Sequence, residues 1–213
     1  MNDRGQSIFD APAVPSWWVP DGQDEQESTV GYGEMMDAMR TLQERITTAV
    51  LDATLVAEVT RDLEDLSRRL GPSVTGQESG RSDELVGNVL GRGQTLIPPI
   101  EIVAEGETWL EARIHFGNYY RGSNGAVHGG TIPLVFDDVL GRLSLSGNRP
   151  VARTAYMHVD FRSITPVGRL LTLEARFERE EGRKRCVRGW LRDGERLCAE
   201  AEALFVQLRP GQP

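Results

Sequence analysis

The sequence predicts an α+β fold in which one helix packs on one face of an antiparallel sheet, and three observations predict it. Polar and apolar residues alternate with a period of two in "IEIVAEG" and "TWLEARIHFG", and again in "VARTAYMHVDFRSIT", "RLLTLEARFERE", "RKRCVRGWLRD" and "RLCAEAEALFVQL". Between the early pair and the late four lies "TIPLVFDDVLGRLSLS", whose apolar residues recur at helical spacing. The late four are joined by short turns such as Glu181-Gly182 and Asp193-Gly194, so they are expected to form an antiparallel meander. A helix layered on such a sheet is the α+β architecture.

A chain of 213 residues suits one domain of ordinary size with extensions. Residues 1–33, rich in Pro, Gly and acids, read as a flexible arm whose Trp17-Trp18 pair can pin it to a surface. In residues 34–94, apolar positions from Met35 to Leu70 recur at three to five residue steps, as one long helix or two hinged near Thr54. Gly71-Pro72 stops that pattern, and a glycine-rich loop follows. Residues 95–210 hold the strands and the helix.

Composition narrows the function classes. Hydrophobic residues at 39% and charged residues at 26% are ordinary for a folded protein, not a disordered one. A net charge of -8 with no Lys or Arg run gives no nucleic-acid footprint. No window approaches the roughly 18 apolar residues of a membrane span. The first residues lack a basic and then apolar leader, so a cytoplasmic protein is expected. Cys186 and Cys198 fall on strands and read as buried reduced thiols in preference to a disulfide.

The informative stretch is "NGAVHGGTIPLVFDDVLG", residues 124–141. Asn124-Gly125 is turn chemistry, and Pro133 suits the first turn of a helix that begins near Gly129 or Gly130. The apolar residues around this helix imply burial within the sheet. A helix start has unpaired amide hydrogens and a partial positive charge, and glycine lets a ligand oxygen approach the backbone. Gly129 and Gly130 are therefore oxyanion-hole candidates, or else they only permit close packing. Asp137 lies two turns beyond Gly130 on the same stripe, where an acid in an apolar helix must be paired, hydrogen-bonded or functional. Asp138 is about 100° further round and reads as a solvated or salt-bridged neighbour. Helix rise separates Gly130 from Asp137 by about 10 Å, so both can serve one reacting carbon only across two copies of the chain.

These residues resemble the HGG-x6-D-x3-G segment of hotdog-fold acyl-CoA thioesterases, in the branch of the phenylacetate-pathway (PaaI-like) and thioesterase superfamily member 4-like proteins. The matching positions are His128, Gly129, Gly130, Asp137 and Gly141. Downstream, Thr154, Phe161, Pro166 and Gly168 fit that branch's T-x6-[YF]-x4-P-x-G strand, and the likeness covers about residues 95–208. It implies a hotdog fold, an antiparallel sheet wrapped around a central helix, here with an N-terminal helical extension. It also implies acyl-CoA hydrolysis without metal or redox cofactor, coenzyme A entering only as part of the substrate. By the resemblance, Gly130, with Gly129, polarises the thioester carbonyl, Asp137 of the other subunit is nucleophile or general base, and His128 shapes the loop. The assembly implied is a homodimer or a dimer of dimers.

Some members of that branch carry an asparagine six residues before the histidine, where this chain has Gly122. Asn124 is close but out of register, and joins Thr154, Phe161 and Arg162 as a substrate-binding candidate. Arg162, Arg169, Arg183, Lys184, Arg185 and Arg188 are either a rim for coenzyme A phosphates or ordinary solvated strand faces. Other readings are a non-catalytic acyl-CoA or lipid-binding module and an acyl-thioester hydratase, although no histidine follows Asp137 closely. Metal hydrolysis through His115, His128, Asp137 and His158 lacks close ligand spacing, and no G-x-S-x-G elbow exists.

Overall fold

The computed structural model describes residues 31–73, 89–91 and 93–209. The order is α1 (Tyr32–Thr48), α2 (Ala53–Leu70), β1 (Val89–Leu90), β2 (Ile100–Glu105), β3 (Trp109–His115), α3 (Thr131–Leu145), β4 (Ala152–Phe161), β5 (Leu170–Glu181), β6 (Lys184–Asp193) and β7 (Arg196–Gln207). One antiparallel sheet runs β1-β2-β3-β5-β6-β7-β4, with α3 against its inner face. Period two decides which side chains reach that face: β3 buries Leu110, Ala112 and Ile114 and turns Glu111 and Arg113 outward. The hairpins close at Gly182 and Gly194, whose φ of 57° and 60° fall in the left-handed region.

The expected four-strand meander is corrected in one respect. β5, β6 and β7 are successive hairpins, but β4 pairs with β7 at the sheet edge, and β5 pairs with β3. The link 162–169 crosses the entry to α3 on its way back. Arg162 and Ser163 donate their amides to Cys198 O, Thr165 O accepts from Val127 N at 2.9 Å, and Gly168 N donates to Phe116 O at 2.8 Å. Alternation identifies a strand but does not name its neighbour.

α3 lies close to the sheet because the residues beneath it are small. Ala175, Gly189 and Ala201 are paired in one row across β5, β6 and β7. A Cβ on Gly189 would stand 3.1 Å from the side chains of both Phe136 and Leu140, so glycine fits the contact without displacing them. Ile132, Val135, Phe136, Val139, Leu140 and Leu143 are buried there. The sheet covers only this face, which corrects the expectation of a helix buried all round. Asp137 is exposed, and Leu134 and Leu145 retain 37% and 42% of their accessible surface. The cost of burying a carboxylate therefore does not arise at Asp137 within one chain.

At its far end α3 is tied down. Arg185, 1% exposed, donates to Ser144 O and Pro150 O at 2.8 Å each and pairs with Glu180 at 3.1 Å. Arg142 forks onto Glu105 at 2.7 and 2.9 Å, and this hydrogen-bonded guanidinium holds the Glu105 carboxyl below its ordinary pKa.

The apolar stripe of residues 34–70 folds as two helices, broken at 49–52, where Asp52 accepts from Leu55 N at 2.9 Å and caps α2. α1 docks through polar groups. Tyr32 Oη donates to Gly93 O at 3.1 Å, and Arg40 donates to Gly91 O at 2.6 Å and to Gln94 O. α2 has no buried residue, and its Leu55, Val56, Leu63, Leu66 and Leu70 are exposed. Trp17, Trp18 and most of the glycine-rich loop lie outside the described residues, and β1 is the part of that loop that pairs with β2. Both cysteines are buried and free, and register sets Cys186 opposite Leu204, which is roughly 20 Å along β7 from Cys198.

Candidate active site

The loop that delivers the chain to α3 is pinned along its length. After Phe116 comes a 3-10 turn, Asn118–Tyr120, and Tyr120 is buried edge-on to Phe116 with ring centroids 6.2 Å apart. Burial pushes the Tyr120 phenol up. Tyr120 O accepts from His128 N at 2.8 Å, and Gly122 N donates to Ala126 O at 2.8 Å. The tip is the expected turn, with Asn124 at φ 57° and Gly125 at φ 73°. Asn124 is exposed there, with a backbone role as its evident contribution. Gly122 has a steric role that sequence reasoning missed. A Cβ at that position would lie 2.9 Å from His128 Cα, so the asparagine some relatives of the resembled branch carry cannot enter this loop without moving the histidine.

Gly130 caps α3, and His128, Gly129 and Gly130 are all exposed. Thr131 N donates to His128 O at 2.9 Å. Gly130 N donates to His128 Nδ1 at 3.1 Å, so the proton of a neutral imidazole sits on Nε2. The amide expected to be open at Gly130 is thus held by the histidine, while among the described residues the Gly129 amide has no acceptor. The Phe161 ring adjoins this point: a Cβ on Gly129 would stand 3.9 Å from it.

Asp137 accepts from Thr154 Oγ1 at 2.9 Å. That bond depends on a bulge in β4, where the pairing register shifts between Thr154 and Tyr156. The extra residue, Ala155, lets Thr154 face α3 on the same side as Ala152, while Met157 and Val159 beyond it still pack on the core. Asp138 is half-buried and engaged in an interaction of its own. Two of the four substrate-binding candidates therefore meet the central residues, Thr154 at Asp137 and Phe161 at Gly129.

Arg162 is instead held by two acids, Glu200 at 2.7 Å and Asp160 at 3.0 Å. Arg169 pairs with Asp193 and Arg188 with Glu178 and Glu200, while Arg183 donates to Gln207 O. Arg185 is buried beneath α3. This set reads mainly as cross-strand pairing and internal clamping. Among the described residues no group of three or more His, Cys, Asp or Glu side chains is placed to hold a metal ion. No described helix is long and apolar enough to cross a membrane.

Parts of the chain are similar to known proteins. Residues 124–200 match the family model of the thioesterase superfamily. Acyl-coenzyme A thioesterase THEM4 of Mus musculus is 31% identical over 99 residues, which are 46% of this chain and 42% of that protein. THEM4 of Xenopus laevis is 34% identical over 98 residues, 44% and 43% of the two chains. The matches thus span less than half the length of those curated relatives. A crystal structure of a thioesterase superfamily protein superposes with a TM-score of 0.72 at 23% identity, covering 88% of this chain and 97% of that one. Such coverage exceeds what the sheet and α3 can supply, so the helical extension belongs to the shared fold as well. Residues 124–200 are thus similar to the thioesterase superfamily, and the sheet with α3 against it has the fold of that solved thioesterase superfamily protein.

Proposed function

We propose that the protein hydrolyses acyl-CoA thioesters to a carboxylic acid and coenzyme A, in a site assembled from two copies of the chain. One observation carries this reading. α3 presents main-chain donors at an exposed start, and about 10 Å further along it presents an exposed carboxylate oriented by Thr154. One α3 cannot bring both to one carbonyl, whereas two related by a twofold axis make two equivalent sites. What supports such pairing is the exposure of Leu134, Asp137 and Leu145 on the open side of α3, and of β4, whose outer edge has no strand beside it among the described residues.

In the proposed reaction the thioester oxygen accepts from the Gly129 amide, and from Gly130 once the His128 ring turns aside. Asp137 of the second copy removes a proton from water as the water oxygen bonds to the carbonyl carbon, and the carbonyl electron pair moves onto oxygen. Collapse breaks the carbon–sulfur bond, and the leaving thiolate takes the proton from Asp137. Direct attack by the carboxylate, followed by hydrolysis of the anhydride, develops the same oxyanion. Coenzyme A as carrier rests on the names of the THEM4 relatives. Phe161, beside Gly129, is placed to line the acyl or pantetheine approach.

The test is thiol release from acyl-CoAs of graded chain length plus an aromatic one. Asp137→Asn should lower kcat by about 10²- to 10⁴-fold while leaving substrate binding intact. An unmodified protein that binds these thioesters without releasing thiol is a binding module, and the hydrolase reading then fails.

A further inference from the structure

We propose that Glu44, in the N-terminal helix α1, is a positioning residue for this site: it fixes the backbone that holds His128 and, through it, the start of α3. The inference rests on the thioester-hydrolase reading and assigns a role to the extension that docks beside the hotdog domain.

Both carboxylate oxygens of Glu44 are in use. Oε1 accepts from Asn118 N at 2.9 Å and from Asn118 Nδ2 at 2.6 Å, and Oε2 accepts from Tyr119 N at 2.9 Å. Glu44 thereby satisfies the first amides of the 3-10 turn Asn118–Tyr120, which Gly117, the residue before it, leaves uncapped. A carboxylate facing several aligned amides is a charge-assisted contact, stronger than a neutral one. Gly117 leaves the room for it, because a Cβ there would lie 2.7 Å from Glu44 Oε2. Asn118 is held from its other side, its Oδ1 accepting from Arg121.

From the turn the connection to the site is one hydrogen bond long. Tyr120, the third residue of the turn, accepts from His128 N at 2.8 Å, and His128 O accepts from the amide of Thr131, the first residue of α3, at 2.9 Å. α1 is itself anchored one turn earlier, where Arg40 donates to the carbonyls of Gly91 and Gln94. The path thus runs from a fixed helix through a carboxylate, a turn and a carbonyl to the residue that orients the helix start. Such a contact acts through placement, since errors near 1 Å in a reacting geometry can cost as much as about 100-fold in rate.

The experiment uses the full chain with Glu44→Gln, Glu44→Ala and Gly117→Ala, and Thr47→Ala as a control on an exposed position of α1. It measures kcat and KM for the best thioester together with hydrogen exchange at the amides of Asn118, Tyr119 and His128. Glu44→Ala should lower kcat about tenfold with KM nearly unchanged, and should speed exchange at His128 as well as at Asn118 and Tyr119. Glu44→Gln, which keeps one acceptor oxygen, should recover part of both effects. Gly117→Ala should resemble Glu44→Ala, and Thr47→Ala should match the parent. If His128 exchange stays protected in Glu44→Ala, or if kcat holds while the turn amides lose protection, the positioning role is wrong. Should Glu44→Ala not fold, Glu44→Gln and Gly117→Ala decide on the same criteria. Should the parent release no thiol, the hydrolase reading falls, and the exchange pattern alone decides whether Glu44 fixes His128.

Discussion

The first and last turns of α3 start with the same difficulty, main-chain groups that have no partner inside the helix, and the fold resolves it in opposite ways. At the C-terminal end, Ser144 O is taken by buried Arg185, Leu143 O by Ser146, and Ser146 O by Arg149 at 2.7 Å. At the N-terminal end the residues are exposed glycines, one amide is held by an imidazole, and the next has no acceptor among the described residues. A carbonyl satisfied by a buried guanidinium contributes to stability and is unavailable to a ligand. An exposed donor contributes little to stability, and its partner can come from solution. The contrast locates stability at one end of the helix and chemistry at the other.

That contrast can be broken experimentally, and the loss expected for Asp137→Asn is its largest effect. Next is Arg185→Met, which strands the Ser144 and Pro150 carbonyls while Glu180 keeps Arg149 at 2.9 Å. It should lower unfolding free energy by about 3 kcal/mol in denaturant titration while the folded fraction keeps its kcat. A fall in kcat per folded molecule would mean that the clamped end also serves the reaction. Thr154→Val keeps the shape of the side chain and deletes one donor to the Asp137 carboxylate. About a tenfold drop in kcat, without loss of thermal stability, is expected. An unchanged rate would make the Asp137 and Thr154 contact incidental. The smallest effect should be that of His128→Ala, about threefold or less, because it removes a side chain that competes for the Gly130 amide. A loss approaching 100-fold would instead assign proton transfer to the histidine, and the N-terminal end would no longer act through its backbone alone.

What was legible in the sequence follows a pattern set by range. The strands of β5, β6 and β7, the helix at 131–145 and the Asn124-Gly125 turn were all readable, since alternation, helical spacing and turn chemistry are local. The place of β4 was not, because the same alternation fits next to β5 or next to β7. Arg185 sits in a run of charged residues that looks solvated, yet it is buried beneath α3. Thr154 was singled out through likeness to other chains, but its bond to Asp137 requires a bulge at Ala155, for which β4 carries no local signal. Glu44 carries no sequence signal either: it is one more acid in an amphipathic helix until α1 docks beside Asn118.

By itself, then, the sequence determined the fold class, the helix start with its glycines, and the separation of Gly130 from Asp137, because φ preferences, apolar periodicity and helix rise are properties of the chain in order. Only the tertiary structure decided which donors at that helix start are engaged, that Asp137 faces outward on a hydrogen bond from Thr154, and that α1 reaches the His128 loop while α2 stays unburied. Those outcomes depend on groups distant in sequence arriving within about 3 Å of each other, and hydrogen bonds act only over that range.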